Sequence, residues 1–247
     1  MEAISEPSKW REYIKNNDHF NQEIPFDFEK VYFKLQKASE DPEKLNPFYT
    51  ISAIYDFTKI FKHISTALSM GFSDITEKSE IMRERFAEFP KAEYIQDLLV
   101  KEIALKGDII KLNGDNNKQI GYKQGKYSKY ISATRTFLRL LWFLEYLIDI
   151  FISITKEEGK NPVKTILGNS YNKVLAPHHP FITRKAVALA LMFSSAGNVA
   201  NSVKLIFGYK DYNDEAKEKI LDTINLMKII WKGGHQFYEE NDLLGLP

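Results

Sequence analysis

Residues 132–154, SATRTFLRLLWFLEYLIDIFISI, form the most apolar stretch of the 247-residue chain. Its longest apolar run, from Leu140 to Ile154, is about fifteen residues and contains Glu145 and Asp149, whereas a membrane-spanning helix needs about 20 apolar residues. The stretch is therefore expected to be a helix buried inside a folded domain. Arg135 and Arg139 stand at its start, where a globular interior normally places no charge. Residues four apart share a helix face, so both guanidiniums point the same way. Guanidinium is the side chain best shaped to hold phosphate by paired hydrogen bonds. Two readings follow: an anion site beside an apolar interior, or a solvated helix entrance whose arginines pair with surface carboxylates at little energetic consequence.

The length allows one large domain or two small ones, with ample material for a core. A formal net charge of +1 argues against a generic nucleic-acid binder, which would be strongly basic. With no cysteine, disulfides, thiolate zinc sites and a cysteine nucleophile are excluded, which fits a reducing compartment. The opening MEAISEPSKWREYIKNND lacks the charged-then-apolar pattern of a signal peptide.

Along the chain, apolar residues recur at helical spacing and alternating strand patterns are few. An acidic-leaning segment runs through about Leu45, followed by a predicted helix over residues 47–70. A second begins after Ser73, whose hydroxyl is positioned as an N-cap. Pro90 opens a third, ended by Gly107. Residues 107–130 are rich in Gly, Asn and Lys with no sustained period, which predicts a loop or mobile insertion. After the central apolar helix come helices over 162–176, 180–195, 198–207 and 214–231, the last stopped by Gly233 and Gly234. No internal repeat or linker divides the chain. The expected organisation is one all-α domain over 46–235, flanked by an N-terminal extension (1–45) and a C-terminal tail (236–247).

Catalytic signals are sparse. No HExxH, Walker loop, GxGxxG or GxSxG occurs, and no metal set or cofactor is expected. His178 and His179 are adjacent and point in different directions, unlike a one-face metal pair. Asp74 and Lys78 are four apart on a predicted helix, acid first, the favourable order for a surface ion pair worth about 0.2–0.5 kcal/mol. The turn Ala176-Pro177-His178-His179-Pro180 reads as a corner between helices.

Three segments nevertheless occur in a telling order: MGFSDITEKSEIM, ATRTFLRLLWFLEYL and SYNKVLAPHHPFITRKAVALA. An Asp-x-x-x-Lys, an Arg-x-x-x-Arg heading an apolar helix, and a Tyr eight residues before a His together resemble the glycolipid transfer protein superfamily. The third segment is most similar to its ceramide 1-phosphate binding branch, and the resemblance spans roughly residues 47–209. It implies a two-layer helical sandwich of about eight helices enclosing a lipid-chain pocket, with a headgroup site at its mouth.

In that family the aspartate matching Asp74 accepts from the ceramide amide and the histidine matching His179 donates to its carbonyl. The positions of Lys78, Arg135 and Arg139 surround the phosphate in the phosphosphingolipid branch. The sugar-binding branch instead has tryptophan at the position of Arg139 and asparagine at that of Lys78. The resemblance thus implies a non-enzymatic carrier of a phosphosphingolipid, ceramide 1-phosphate, acting as a cytoplasmic monomer in transient contact with membranes. Phe57, Phe61, Phe137, Leu138 and Trp142 are the expected pocket lining. Where the family has Gly-Trp after the histidine this chain has Pro180-Phe181, which makes Phe181 the expected membrane contact. The lysines of residues 107–130 face either an anionic bilayer or plain solvent. Alternative functions are a sphingolipid sensor or interaction protein, a carrier of neutral glycosphingolipid, and a helical hydrolase using Asp74 and His179.

Overall fold

The computed structural model describes residues 26–64, 73–111, 130–156, 162–192, 207, 209 and 212–246. They form eight α-helices: α1 (Phe28–Ala38), α2 (Pro47–Ile64), α3 (Ser73–Glu88), α4 (Ile95–Lys111), α5 (Ala133–Lys156), α6 (Val163–Ser170), α7 (Phe181–Met192) and α8 (Asp214–Glu240). Among the described residues there is no strand, and the all-α class expected from the sequence holds.

The central apolar segment is α5, and α3, α4, α6 and α8 all pack against it. Its burial is nearly complete: Phe137, Leu140, Leu141, Phe143, Leu144, Leu147 and Phe151 are in the core. Between Ala133 and Phe151 the positions that escape full burial, Arg135, Arg139, Trp142, Glu145 and Asp149, recur every three or four residues and so make one stripe.

Several boundaries differ from the sequence reading. The segment read as acidic-leaning contains α1, whose Asp27 Oδ1 accepts from the Lys30 amide at 3.2 Å as an N-cap. Phe28, Val31, Leu35 and Ala38 give α1 a buried stripe, and it packs on α2 and α8. Helix α4 starts at Ile95 rather than at Pro90, because Ala92 first closes a turn onto the Phe89 carbonyl at 2.9 Å. Regular helical geometry in α4 breaks at Lys106 (φ −139°, ψ 22°), next to the stop expected at Gly107, and helix resumes beyond this kink to Lys111. The predicted 162–176 helix is α-helical only to Ser170, then widens into a π turn (Tyr171–Leu175) and tightens into a 3-10 turn (Ala176–His178). The expected extensions over 65–70 and 193–195, most of the 198–207 helix and most of the 107–130 insertion lie outside the described residues.

Gly233 and Gly234 do not stop α8, which runs on to Glu240. A Cβ on Gly233 would lie 2.1 Å from the Pro42 carbonyl oxygen, and one on Gly234 would lie 2.7 Å from Leu141 Cδ2. At the glycines α8 lies directly against the α1–α2 connection and α5, with no room for a side chain. Close approach, not helix termination, accounts for them.

Among the described residues no helix is long and apolar enough to cross a membrane.

Candidate functional site

The N-terminus of α5 brings the arginine pair to the surface of the core. Ser132 Oγ accepts from the Arg135 amide at 3.2 Å and caps the helix. One turn on, Arg139 Nη1 donates to the Arg135 carbonyl at 3.0 Å, which holds the second guanidinium beside the first.

Helix α3 faces them. Asp74 lies in its first turn, where the helix dipole favours a carboxylate, and pairs with Lys78 one turn later. The two helices enclose a cleft of about 230 Å³ lined by Asp74, Glu77, Lys78, Arg135 and Arg139, with Tyr130 and Ser132 among its walls. Of the five expected headgroup residues, four therefore meet in one cleft although 65 positions separate Asp74 from Arg139.

The electrostatics of the cleft are those of crowded cations. Burial pulls the Lys78 ammonium below its usual pKa, and Arg139 adds to the effect while Asp74 opposes it. Burial likewise lowers Arg135, with Arg139 contributing, and lowers Arg139 against the opposing charge of Asp74. A guanidinium nonetheless stays protonated in a protein, so both arginines remain charged. Three cations face the two carboxylates of Asp74 and Glu77, and an anion entering the cleft would relieve their mutual repulsion.

His179 stands beside this cleft, near enough to Asp74 and Lys78 for both charges to act on it. Its Nδ1 is 2.9 Å from the Tyr171 hydroxyl. Burial lowers His179 below its usual value, so the ring is neutral at pH 7. Burial also raises the Tyr171 phenol, which therefore keeps its proton. In the tautomer with its proton on Nε2, the Tyr171 hydroxyl donates to Nδ1 and the Nε2–H is left as a donor for another group. The π turn supplies the geometry, since it carries Tyr171 and leads directly to the corner that presents His179.

The apolar residues divide. Phe57, Phe61, Phe137 and Leu138 are buried in the core, with the Phe57 and Phe151 rings 5.9 Å apart and Phe61 stacked on Tyr146 at 6.4 Å. Trp142 instead lies on the partly exposed stripe of α5, stacked face to face on His178 at 3.8 Å. Phe181 opens α7, a helix with no buried residue, and is 63% exposed; its neighbour Ile182 is 81% exposed. Lys185 lies over the Phe181 ring at 5.3 Å.

Two participants were not read from the sequence. Tyr171 entered only as part of a motif, because a hydrogen bond across a π turn has no local signature. Glu102 looks in the sequence like one carboxylate among many on amphipathic helices, yet it is fully buried and accepts from both Tyr130 and Ser132 of the cleft wall. The available signal was its spacing: Glu102 falls in register with Ile95, Leu98 and Leu99 on the buried stripe of α4. Among the described residues no group of three or more His, Asp or Glu side chains is arranged to hold a metal ion.

Comparison with known proteins matches residues 45–196 to the glycolipid transfer protein (GLTP) family. The chain is similar to ceramide-1-phosphate transfer protein of Danio rerio, 20% identical over 225 residues that cover 90% of this chain and 98% of that one. It is also similar to accelerated cell death 11 of Arabidopsis thaliana, 28% identical over 137 residues covering 55% of this chain and 60% of the relative. Its fold is similar to the crystal structure of human ceramide-1-phosphate transfer protein in complex with 2:0 ceramide-1-phosphate, with a TM-score of 0.72 at 19% identity, covering 91% of this chain and all of the other.

Proposed function

Because the chain belongs to the glycolipid transfer protein family, we propose that it is a non-enzymatic carrier that moves a phosphosphingolipid, ceramide 1-phosphate, between membranes. The observation that carries this reading is the meeting of Lys78, Arg135 and Arg139 in one cleft beside the apolar core. The names of the relatives and of the similar complex support it. Each charge-assisted hydrogen bond to a phosphate contributes about 1.5–3 kcal/mol, whereas a neutral sugar would leave the three cations poorly compensated.

In this reading Lys78, Arg135 and Arg139 hold the phosphate. Asp74 accepts from the ceramide amide, and the Nε2–H of His179 donates to the ceramide carbonyl, its direction fixed by Tyr171 on the opposite nitrogen. A two-chain lipid has on the order of thirty methylenes, and leaving them in water would cost ~20 kcal/mol or more. The core around Phe57, Phe61, Phe137 and Leu138 parts to receive the chains, with Trp142 at the boundary between headgroup and chains. Phe181 and Ile182 enter the interface of the bilayer, next to the basic side chains of Arg184 and Lys185. Contact with the membrane is transient, and the carrier works as a cytoplasmic monomer.

The test is transfer of fluorescent ceramide 1-phosphate between phosphatidylcholine vesicles by the full chain. Transfer that rises with protein concentration is the expected result. Stoichiometric binding in native mass spectrometry without transfer would replace the carrier by a sensor, and chemical turnover of the bound lipid would replace it by an enzyme.

A further inference from the structure

Beneath the cleft, five donors converge on a single buried carboxylate. Glu102 of α4 accepts from the Tyr130 hydroxyl, from Ser132 Oγ at 2.9 Å, from the Ala133 and Thr134 amides at 2.7 Å each, and from Thr134 Oγ1 at 2.6 Å. Ala133 and Thr134 are the first residues of α5, so these amides belong to the set that a helix leaves without internal partners and that attracts anions. The protein's own carboxylate occupies that place.

The consequences reach the cleft by short covalent and hydrogen-bonded paths. Tyr130 and Ser132 are cleft walls, and Ser132 Oγ also accepts from the Arg135 amide at 3.2 Å. Across the same turn the buried Tyr238 hydroxyl donates to the Thr134 carbonyl at 2.6 Å. Arg85 and Lys106 approach the Tyr130 ring at 5.0 and 3.7 Å, so the ring that donates to Glu102 is also held by cations. One acceptor thus fixes two walls of the cleft and the first turn of the helix that carries both arginines.

We propose that Glu102 is a positioning residue for headgroup recognition: it fills the anion place at the α5 N-terminus, which sends the ligand phosphate to Lys78, Arg135 and Arg139 and sets the height of Arg135. This rests on the phosphosphingolipid reading above. A glutamine keeps the size of the side chain but replaces one carboxylate oxygen by an NH2, which then confronts two or three donors where an acceptor stood.

The experiment compares binding of ceramide 1-phosphate and of ceramide with the same acyl chain to the full-length wild type, E102A and E102Q, with circular dichroism as the check on folding. E102A should bind ceramide 1-phosphate about tenfold or more weakly, as loss of a charged hydrogen-bonding partner implies, with ceramide binding unchanged. Sodium acetate should restore the phosphate lipid's affinity by placing a small carboxylate at the open amides, and neutral acetamide should not. Should E102A not fold, E102Q is judged by the same ratio and is expected to show a smaller loss, again confined to the phosphate lipid. Equal losses for both lipids, or an E102A chain that keeps or tightens its preference for phosphate, overturn the inference and leave the carrier reading standing. A wild type with no preference for phosphate over ceramide overturns both.

Discussion

Asp56 lies between Lys34 and Lys59 in the interface of α1 and α2, whereas Asp74 shares an open cleft with Glu77, Lys78, Arg135 and Arg139. Two lysines against one aspartate and three cations against two carboxylates each give a formal charge of +1. In the first cluster all three residues are buried, and Asp56 takes Lys34 at 2.5 Å on one oxygen and Lys59 at 2.7 Å on the other. In the second, Asp74 leaves 59% of its side chain to solvent. Closure rather than charge separates them. A charge cluster sealed on all sides joins two helices, while one left open toward solvent can be reached by whatever enters.

Asp56→Ala should have the largest effect of any change in either cluster. It leaves two lysines in the interior without their shared carboxylate, a defect that costs about 3–5 kcal/mol in buried ion pairs. Thermal or urea unfolding checks it, and a shift of less than ~1 kcal/mol would dissolve the contrast between the two clusters. Arg139→Leu is the mirror experiment. Transfer of ceramide 1-phosphate should fall by about ten- to a hundredfold, the equivalent of one charge-assisted bond. Stability should hold, because the substitution removes one of several crowded like charges.

The two clusters also differ in what acid does to them. For Asp56, burial alone would raise the carboxyl, but Lys34 and Lys59 outweigh it and hold the group below the usual carboxylate range. A carboxyl depressed in the folded state contributes stability that is complete above the unfolded value and is lost as pH falls through the folded one. Unfolding experiments should show this acid-side loss in the wild type below about pH 4 and a shallower slope there in Asp56→Asn, already destabilised at neutral pH. Tyr171→Phe should have the smallest effect. Without its hydroxyl, His179 loses the partner that directs Nε2–H, and transfer should drop by only a few-fold, in line with one neutral hydrogen bond of about 0.5–1.5 kcal/mol. Transfer abolished by this change would mean that Tyr171 touches the lipid itself.

Legibility from the sequence followed the range of the interactions concerned. Helix α5 was evident because its apolar period is long and uninterrupted, and Arg135 and Arg139 stood out because they break it. Asp74 with Lys78 is a contact within one helix, visible as a spacing of four. That these two pairs face each other across a cleft depends on how α3 lies on α5, which no local pattern encodes. The buried stripe of α1 is embedded among charged residues and gives only a weak helical signal, and Gly233 and Gly234 look like a stop signal inside α8. Only the closeness of Pro42 and Leu141 shows why a side chain is excluded there. The same holds for Glu102, whose donors lie 28 to 32 positions away.

Selection of a phosphate headgroup by the cations of the cleft is open to a direct experiment. Its most direct test is vesicle-to-vesicle transfer by the wild-type chain of two lipids with identical chains, ceramide 1-phosphate and galactosylceramide. The first should be transferred and the second hardly at all. Robust transfer of galactosylceramide with none of ceramide 1-phosphate would contradict that selection.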